Sequence, residues 1–161
     1  MSVLIKNGRV VTATDDYIAD IFIEGEVVKA IGKNLAVKAE KEIDASGKLV
    51  FPGGIDPHVH LDMPFMGTFS SDNYETGTRA SVFGGTTMVI DFILQKQGNS
   101  LRSAFQEWKG RSDKNCVGDY SFHMAVTDFN ENTKKEIQEM IEKEGITSFK
   151  TFMAYKGALM I

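Results

Sequence analysis

His58 and His60 are the residues whose type and spacing speak most directly of chemistry. Side chains two apart on an extended strand point to the same side, so this pair can offer two imidazoles to one metal ion. They follow a short apolar run, Phe51-Pro52-Gly53-Gly54-Ile55, and Asp56-Pro57 stiffens the approach. Enzymes built from alternating strands and helices carry their chemistry at such strand ends. The plain alternative is a chance pair of surface histidines. Against it, the chain has three histidines in all and two of them lie in this motif. The third, His123, sits inside a later strand and reads as a packed, hydrogen-bonded side chain rather than a ligand. Lys150 ends another apolar run; the bland reading is a solvated lysine leaving a sheet, against which stands the Phe152-Met153-Ala154-Tyr155 that follows. Asp91 and Asp128, near strand ends, read as structural hydrogen-bonding groups.

The elements that must position these residues fall into two blocks. Residues 1–51 read as strands: 3–5 and 10–11 flank Asn7-Gly8, a hairpin signal, and further strands run through Ile18, Ile21, Ile23, Val27, Val28 and Ile31. Residues 41–44 and 48–51 continue the pattern, which predicts a small β domain of β-sandwich-like form. From residue 52 the grammar changes. Asp72 and Glu75 have capping-box spacing for a helix that stops at Gly84-Gly85. A strand follows over 86–92 (TTMVIDF), then a helix from Ser100 towards Ser112 with Leu101, Phe105 and Trp108 on one face. A strand over 120–126, a helix over 133–144 with Ile137, Met140 and Ile141 together, and a strand over 146–152 complete the series. Residues 52–152 thus read β-α-β-α-β-α-β, which means parallel strands joined by right-handed crossovers, within a block that runs over residues 52–161. A (β/α)8 barrel needs roughly 250 residues. Four strands cannot close one, so this is either a smaller, self-standing open α/β sheet or the first four strands of a truncated TIM-like barrel with the remainder outside this chain. The apolar ending directly after a strand favours the second, and the expectation is an α/β fold of that kind.

Composition narrows the partners. The chain has 161 residues, 42% hydrophobic and 25% charged, with a net charge of −4 and no block of like charge. That gives no basic patch for nucleic acid. No apolar run approaches the roughly 20 residues of a membrane span. The N-terminal stretch, with Lys6, Asn7 and Arg9, lacks the form of a signal peptide. Cys116 is the single cysteine, so no intrachain disulfide forms; it reads as a small hydrophobe in a reducing, cytoplasmic setting.

The segment from Pro52 through His58-Val59-His60 to Leu61-Asp62-Met63-Pro64 resembles the first barrel strand and loop of the amidohydrolase superfamily, and its Asp62-Met63-Pro64 end resembles the dihydropyrimidinase and D-hydantoinase branch. Glu75-Thr76-Gly77-Thr78-Arg79-Ala80, Phe83-Gly84-Gly85-Thr86-Thr87 with Ile90-Asp91-Phe92, and Ser148-Phe149-Lys150-Thr151-Phe152-Met153-Ala154-Tyr155-Lys156 are similar to the same branch. The likeness covers essentially the whole chain, as the N-terminal portion of such an enzyme. It implies that His58 and His60 bind one of two divalent metal ions, zinc, and that Lys150 takes up CO2 as a carbamate bridging both. A metal-bridged hydroxide would then hydrolyse the cyclic amide bond of a dihydropyrimidine or 5-substituted hydantoin. Tyr155 would donate a hydrogen bond to the developing oxyanion. Met63, Phe65 and Phe152, whose plain role is packing, would join Tyr155 in contacting the substrate.

Dihydroorotases typically follow the histidine pair with an arginine for the substrate carboxylate. Here Leu61-Asp62 follows, which disfavours that substrate. Allantoinase, or a non-catalytic dihydropyrimidinase-like scaffold of the collapsin-response kind, are the alternatives; retention of His58, His60, Lys150 and Tyr155 counts against the scaffold. The resemblance also implies a homotetramer, and two further histidines and a late aspartate that residues 1–161 do not supply. The isolated chain is accordingly expected to be inactive.

Overall fold

In a computed structural model of the chain, residues 1–65 and 67–161 are described. They divide into two compact units, Met1–Pro52 and Gly53–Ile161.

The first unit is built on β1 (Ser2–Val11), with β2 (Asp16–Glu24), β3 (Val27–Gly32), β4 (Lys41–Asp44) and β5 (Leu49–Val50). The order is β3-β2-β1-β4, with β5 also on β1; β2 lies antiparallel to β1, while β4 and β5 run parallel to it. Asn7-Gly8 is not the hairpin expected from the sequence. The strand runs straight through it, and the register to β2 shifts between Ile5 and Gly8. Asn7 takes a positive φ of 61°, and the amide that this irregularity frees from the ladder donates to Asp20 Oδ1 at 2.9 Å. Asp20 also accepts from Leu35 N at 3.0 Å, and these backbone donors hold its carboxyl below the usual carboxylate range. An Asn-Gly pair satisfies a bulge as readily as a turn, because both need the left-handed conformation. Val10, Ala19 and Ile21 form the small core. Among the described residues this unit contains one sheet, so the expected sandwich is not confirmed, and Ile18, Val27, Val28 and Leu49 are exposed.

The second unit carries the alternation. Its elements are β6 (Gly54–Val59), a two-stranded ribbon of β7 (Pro64–Phe65) and β8 (Thr68–Phe69), α1 (Tyr74–Phe83), β9 (Thr86–Leu94), α2 (Leu101–Ser112), β10 (Asp119–Ala125), α3 (Glu131–Glu144) and β11 (Phe149–Lys150). The main sheet is parallel, in the order β11-β10-β9-β6. Each helix starts on a side-chain cap. Ser100 and Asn130 accept from the first-turn amides of α2 and α3. For α1 the capping box lies one residue later than the sequence pattern indicated. Asn73 accepts from Thr76 N and Thr76 Oγ1 accepts from Asn73 N, while Asp72 accepts from the Thr76 hydroxyl at 2.9 Å. The last strand is shorter than expected: only Phe149–Lys150 pair with β10, although Phe152 bridges to Met160.

Alternation along the strands sorts the side chains. Val89 and Ile93 of β9, Phe122 and Met124 of β10, and Phe149 of β11 pack against Tyr74, Leu101, Phe105, Trp108 and Met140 from the helices. The intervening residues, Phe92, His123 and Lys150, lie together with His58 and His60. One face of the sheet is thus the apolar core, and the other gathers His58, His60, His123 and Lys150.

Candidate active site

Phe92 is the floor of this second face. The residue is 5% exposed, and three imidazoles surround its ring: His58 at 4.6 Å, His60 at 5.1 Å and His123 at 4.8 Å between ring centroids. Lys150 Nζ lies 4.4 Å from the same ring and 4.8 Å from that of Phe152. His58 and His60 are edge to face, 5.1 Å apart. The two imidazoles that share a strand face by spacing therefore share it in space, and Lys150, 90 residues further on, meets them over one aromatic ring.

The electrostatics suit a ligand. Desolvation first, then His58 and Lys150 nearby, push the pKa of His60 down, favouring the neutral imidazole that can coordinate a metal. Among the described residues no group of three His, Cys, Asp or Glu side chains converges to hold an ion. The third group beside the imidazoles is Lys150. As an ammonium it cannot ligate; as a carbamate it would present carboxylate oxygens.

Beside this cluster opens a cavity of about 430 Å³ lined by His60, Met63, Phe65, Thr68, Phe69, Ser70, Phe92, Leu94, Lys150, Phe152, Tyr155 and Leu159. Its wall is mainly apolar, with few polar groups, as small-molecule sites are. Met63 is buried and its backbone is tied to Ser70 in both directions, Met63 N donating to Ser70 Oγ at 2.8 Å and Ser70 N to Met63 O at 3.0 Å. Tyr155 stands at the rim, half exposed, on a turn where its φ is 63° and its carbonyl accepts from Ala158 N and Leu159 N. Its ring lies 6.3 Å from Phe65 and 6.1 Å from Phe152.

The sequence profile of the amidohydrolase family matches residues 49–160. The chain belongs to the amidohydrolase family. Among its relatives within the amidohydrolases, the D-hydantoinase of Geobacillus stearothermophilus is 50% identical over 156 residues, which are 97% of this chain and 33% of that one. The dihydropyrimidinase of Rattus norvegicus is 43% identical over 98% of this chain and 31% of its own. The crystal structure of dihydropyrimidinase from Brevibacillus agri superposes with a TM-score of 0.96 at 51% identity, covering 99% of this chain and 35% of that one. The L-hydantoinase of Arthrobacter aurescens matches less well, with a TM-score of 0.78 at 28% identity. The chain therefore spans about a third of the length of these relatives, and the parallel sheet of its second unit is half of an amidohydrolase barrel.

Every candidate position named from the sequence lies at this cluster or cavity: His58 and His60 over Phe92, and Lys150, Met63, Phe65, Phe152 and Tyr155 on the cavity wall. Sequence reasoning missed Phe92 and Leu94: strand alternation puts the two on one face of β9, and only the neighbouring strands show that this is the histidine side. It also missed Phe69 and Ser70, brought in by the ribbon that turns at Gly67, whose φ is 82°. Asp91 and Asp128 accept backbone amides, from Leu61 at 3.2 Å and Gly98 at 3.1 Å. Asp62 does not line the cavity; its carboxylate lies 3.7 Å from Arg111 Nη1, which also donates to the Asp62 carbonyl. Cys116 is half-buried beside the core, and burial pushes its thiol up to about 11, far from a nucleophile's range. Among the described residues no helix is long and apolar enough to cross a membrane.

Proposed function

We propose that the protein is a metal-dependent hydrolase that opens a cyclic amide, a dihydropyrimidine or a 5-substituted hydantoin. The observation that carries this reading is the meeting of His58, His60 and Lys150 over the Phe92 ring, at the edge of an apolar cavity. His58 and His60 would hold one of two divalent ions, zinc, as neutral imidazoles. Reaction of the Lys150 amine with CO2, with loss of one proton, would give a carbamate whose oxygens could serve as metal ligands. When bound, such ions make water acidic enough to supply a nucleophile near neutral pH.

The chain's own groups do the rest. The Phe92 floor and the Met63, Phe65 and Phe152 walls exclude water and would receive the ring and its substituent. Tyr155, at the rim, would donate its hydroxyl proton in a hydrogen bond to the carbonyl oxygen as charge gathers there. With one imidazole pair and one lysine, this chain would carry a share of the centre. The remaining ligands, the late aspartate, and the strands that would complete a sandwich on the first unit would come from sequence beyond residue 161. A homotetramer and a cytoplasmic setting belong to the same proposal.

Purified full-length protein should contain zinc by elemental analysis and open dihydrouracil or a hydantoin, followed as loss of ultraviolet absorbance. In Lys150→Ala, ring opening should fall to the blank rate and the zinc content with it, while the melting temperature stays within a few degrees. A Lys150→Ala protein that keeps its zinc and its rate would overturn the proposal.

A further inference from the structure

His123 ties together the two segments that carry the metal-binding groups proposed above. Its Nε2 lies 2.9 Å from the carbonyl oxygen of Pro57, the residue before His58. Its Nδ1 contacts the hydroxyl of Ser148, two residues before Lys150. A carbonyl can only accept, so Nε2 carries a proton and donates it to Pro57, and in the neutral imidazole Nδ1 then accepts from the Ser148 hydroxyl. One imidazole on β10 thus reaches over β9 to β6 on one side and to the start of β11 on the other.

Both segments need such a tie, because the backbone ladder holds them poorly. The register between β6 and β9 breaks between Asp56 and Val59, so Pro57 and His58 lie outside the regular pairing. Pro57 has no amide hydrogen to contribute. β11 pairs with β10 over only Phe149 and Lys150. The Phe92 ring, 4.8 Å from His123 and tilted by 37°, supports the imidazole from below.

We infer that His123 is a positioning residue, a brace that sets the separation of the His58–His60 pair from Lys150 through its bonds to Pro57 and Ser148. The inference rests on the metal-site reading. It assigns His123 no contact with metal or substrate. Groups that orient ligands are worth roughly tenfold to a hundredfold in metal affinity.

The test uses the full-length protein in four forms: wild type, His123→Phe, His123→Gln and Ser148→Ala. Phenylalanine keeps the ring against Phe92 and loses both bonds; glutamine can still donate to Pro57. Zinc affinity is measured by competition with a chelator, Lys150 carbamate by 13C NMR after labelled bicarbonate, and folding by thermal melting. His123→Phe should melt close to wild type yet bind zinc roughly tenfold or more weakly and lose carbamate signal, His123→Gln should recover part of both, and Ser148→Ala should fall between. A folded His123→Phe with wild-type zinc affinity and carbamate overturns the brace; if that variant does not fold, wild-type values in both His123→Gln and Ser148→Ala do so. A wild-type protein that binds no zinc sinks the metal-site reading instead. The brace is then decided by the imidazole 15N spectrum, which must show the Nε2-protonated tautomer of His123.

Discussion

Asp91 sits one residue from Phe92 but on the opposite face of β9, fully buried among the helix-side apolar groups. It accepts from Phe92 N at 2.7 Å and from Leu61 N at 3.2 Å, anchoring the chain just past His60. Burial outweighs these amides and the nearby Tyr74 hydroxyl and pushes its carboxyl up to about 6. Because the folded value lies above the ordinary 3.8, the folded state binds more protons between the two values. Stability from this group is therefore greatest at low pH and is lost as pH rises through 6, the reverse of a salt-bridged carboxylate. Wild-type protein should gain about 1 kcal/mol from Asp91 on going from about pH 8 to about pH 5, and Asp91→Asn should lack that gain. Urea unfolding of both proteins at the two pH values checks it. The lowered pKa of His60 works in the opposite sense in both, so the difference between the proteins isolates Asp91. At this scale the sequence showed which residues carry polar chemistry, because His58-x-His60 declares its shared face by spacing alone. It did not show Phe92. An aromatic in an apolar strand gives no sign of whether it faces core or site until its neighbours across the sheet are known.

At the scale of elements, α1 holds the loop beyond His60 through a close approach. A Cβ placed on Gly77 would lie 2.4 Å from Leu61 Cδ2, and Leu61 is buried in the core. Gly77→Ala should gain helix propensity of about 1 kcal/mol yet lose more to overpacking, for a net destabilisation of about 1–2 kcal/mol. Chemical denaturation measures the net effect, and an alanine variant as stable as wild type would show that Leu61 simply turns aside. The helices were the most legible elements, since Leu101, Phe105 and Trp108 fix both period and buried face, and Gly145 at φ 72° ends α3 where glycine was expected to. Two elements were misread for physical reasons. Asn7-Gly8 fits a bulge and a turn equally well. The expected strand over 146–152 pairs over two residues only, because an apolar β-branched run records propensity and not the length of its partner.

At the scale of the molecule, the parallel sheet of the second unit leaves both edges, β6 and β11, unpaired among the described residues, and only its helix side is covered. Parallel sheets are stable when both faces are buried. A (β/α)8 barrel closes that inner face with eight strands, whereas four are present here, in a chain spanning a third of its relatives' length. Ile55, Phe83 and Met153 are exposed in this unit, at 61%, 88% and 97%. Open edges and uncovered apolar side chains together are what drive association. Residues 1–161 expressed alone should therefore bind an apolar-surface dye strongly and sediment as a mixture of associated species, and the full-length protein should do neither. Zinc should not cure this, because His58, His60 and Lys150 all lie on the uncovered face and an ion there pairs no strand edge. A monodisperse 161-residue monomer without dye binding would mean that the half-barrel buries its own inner face, and Phe92, which is already almost fully covered, marks where that closure would begin.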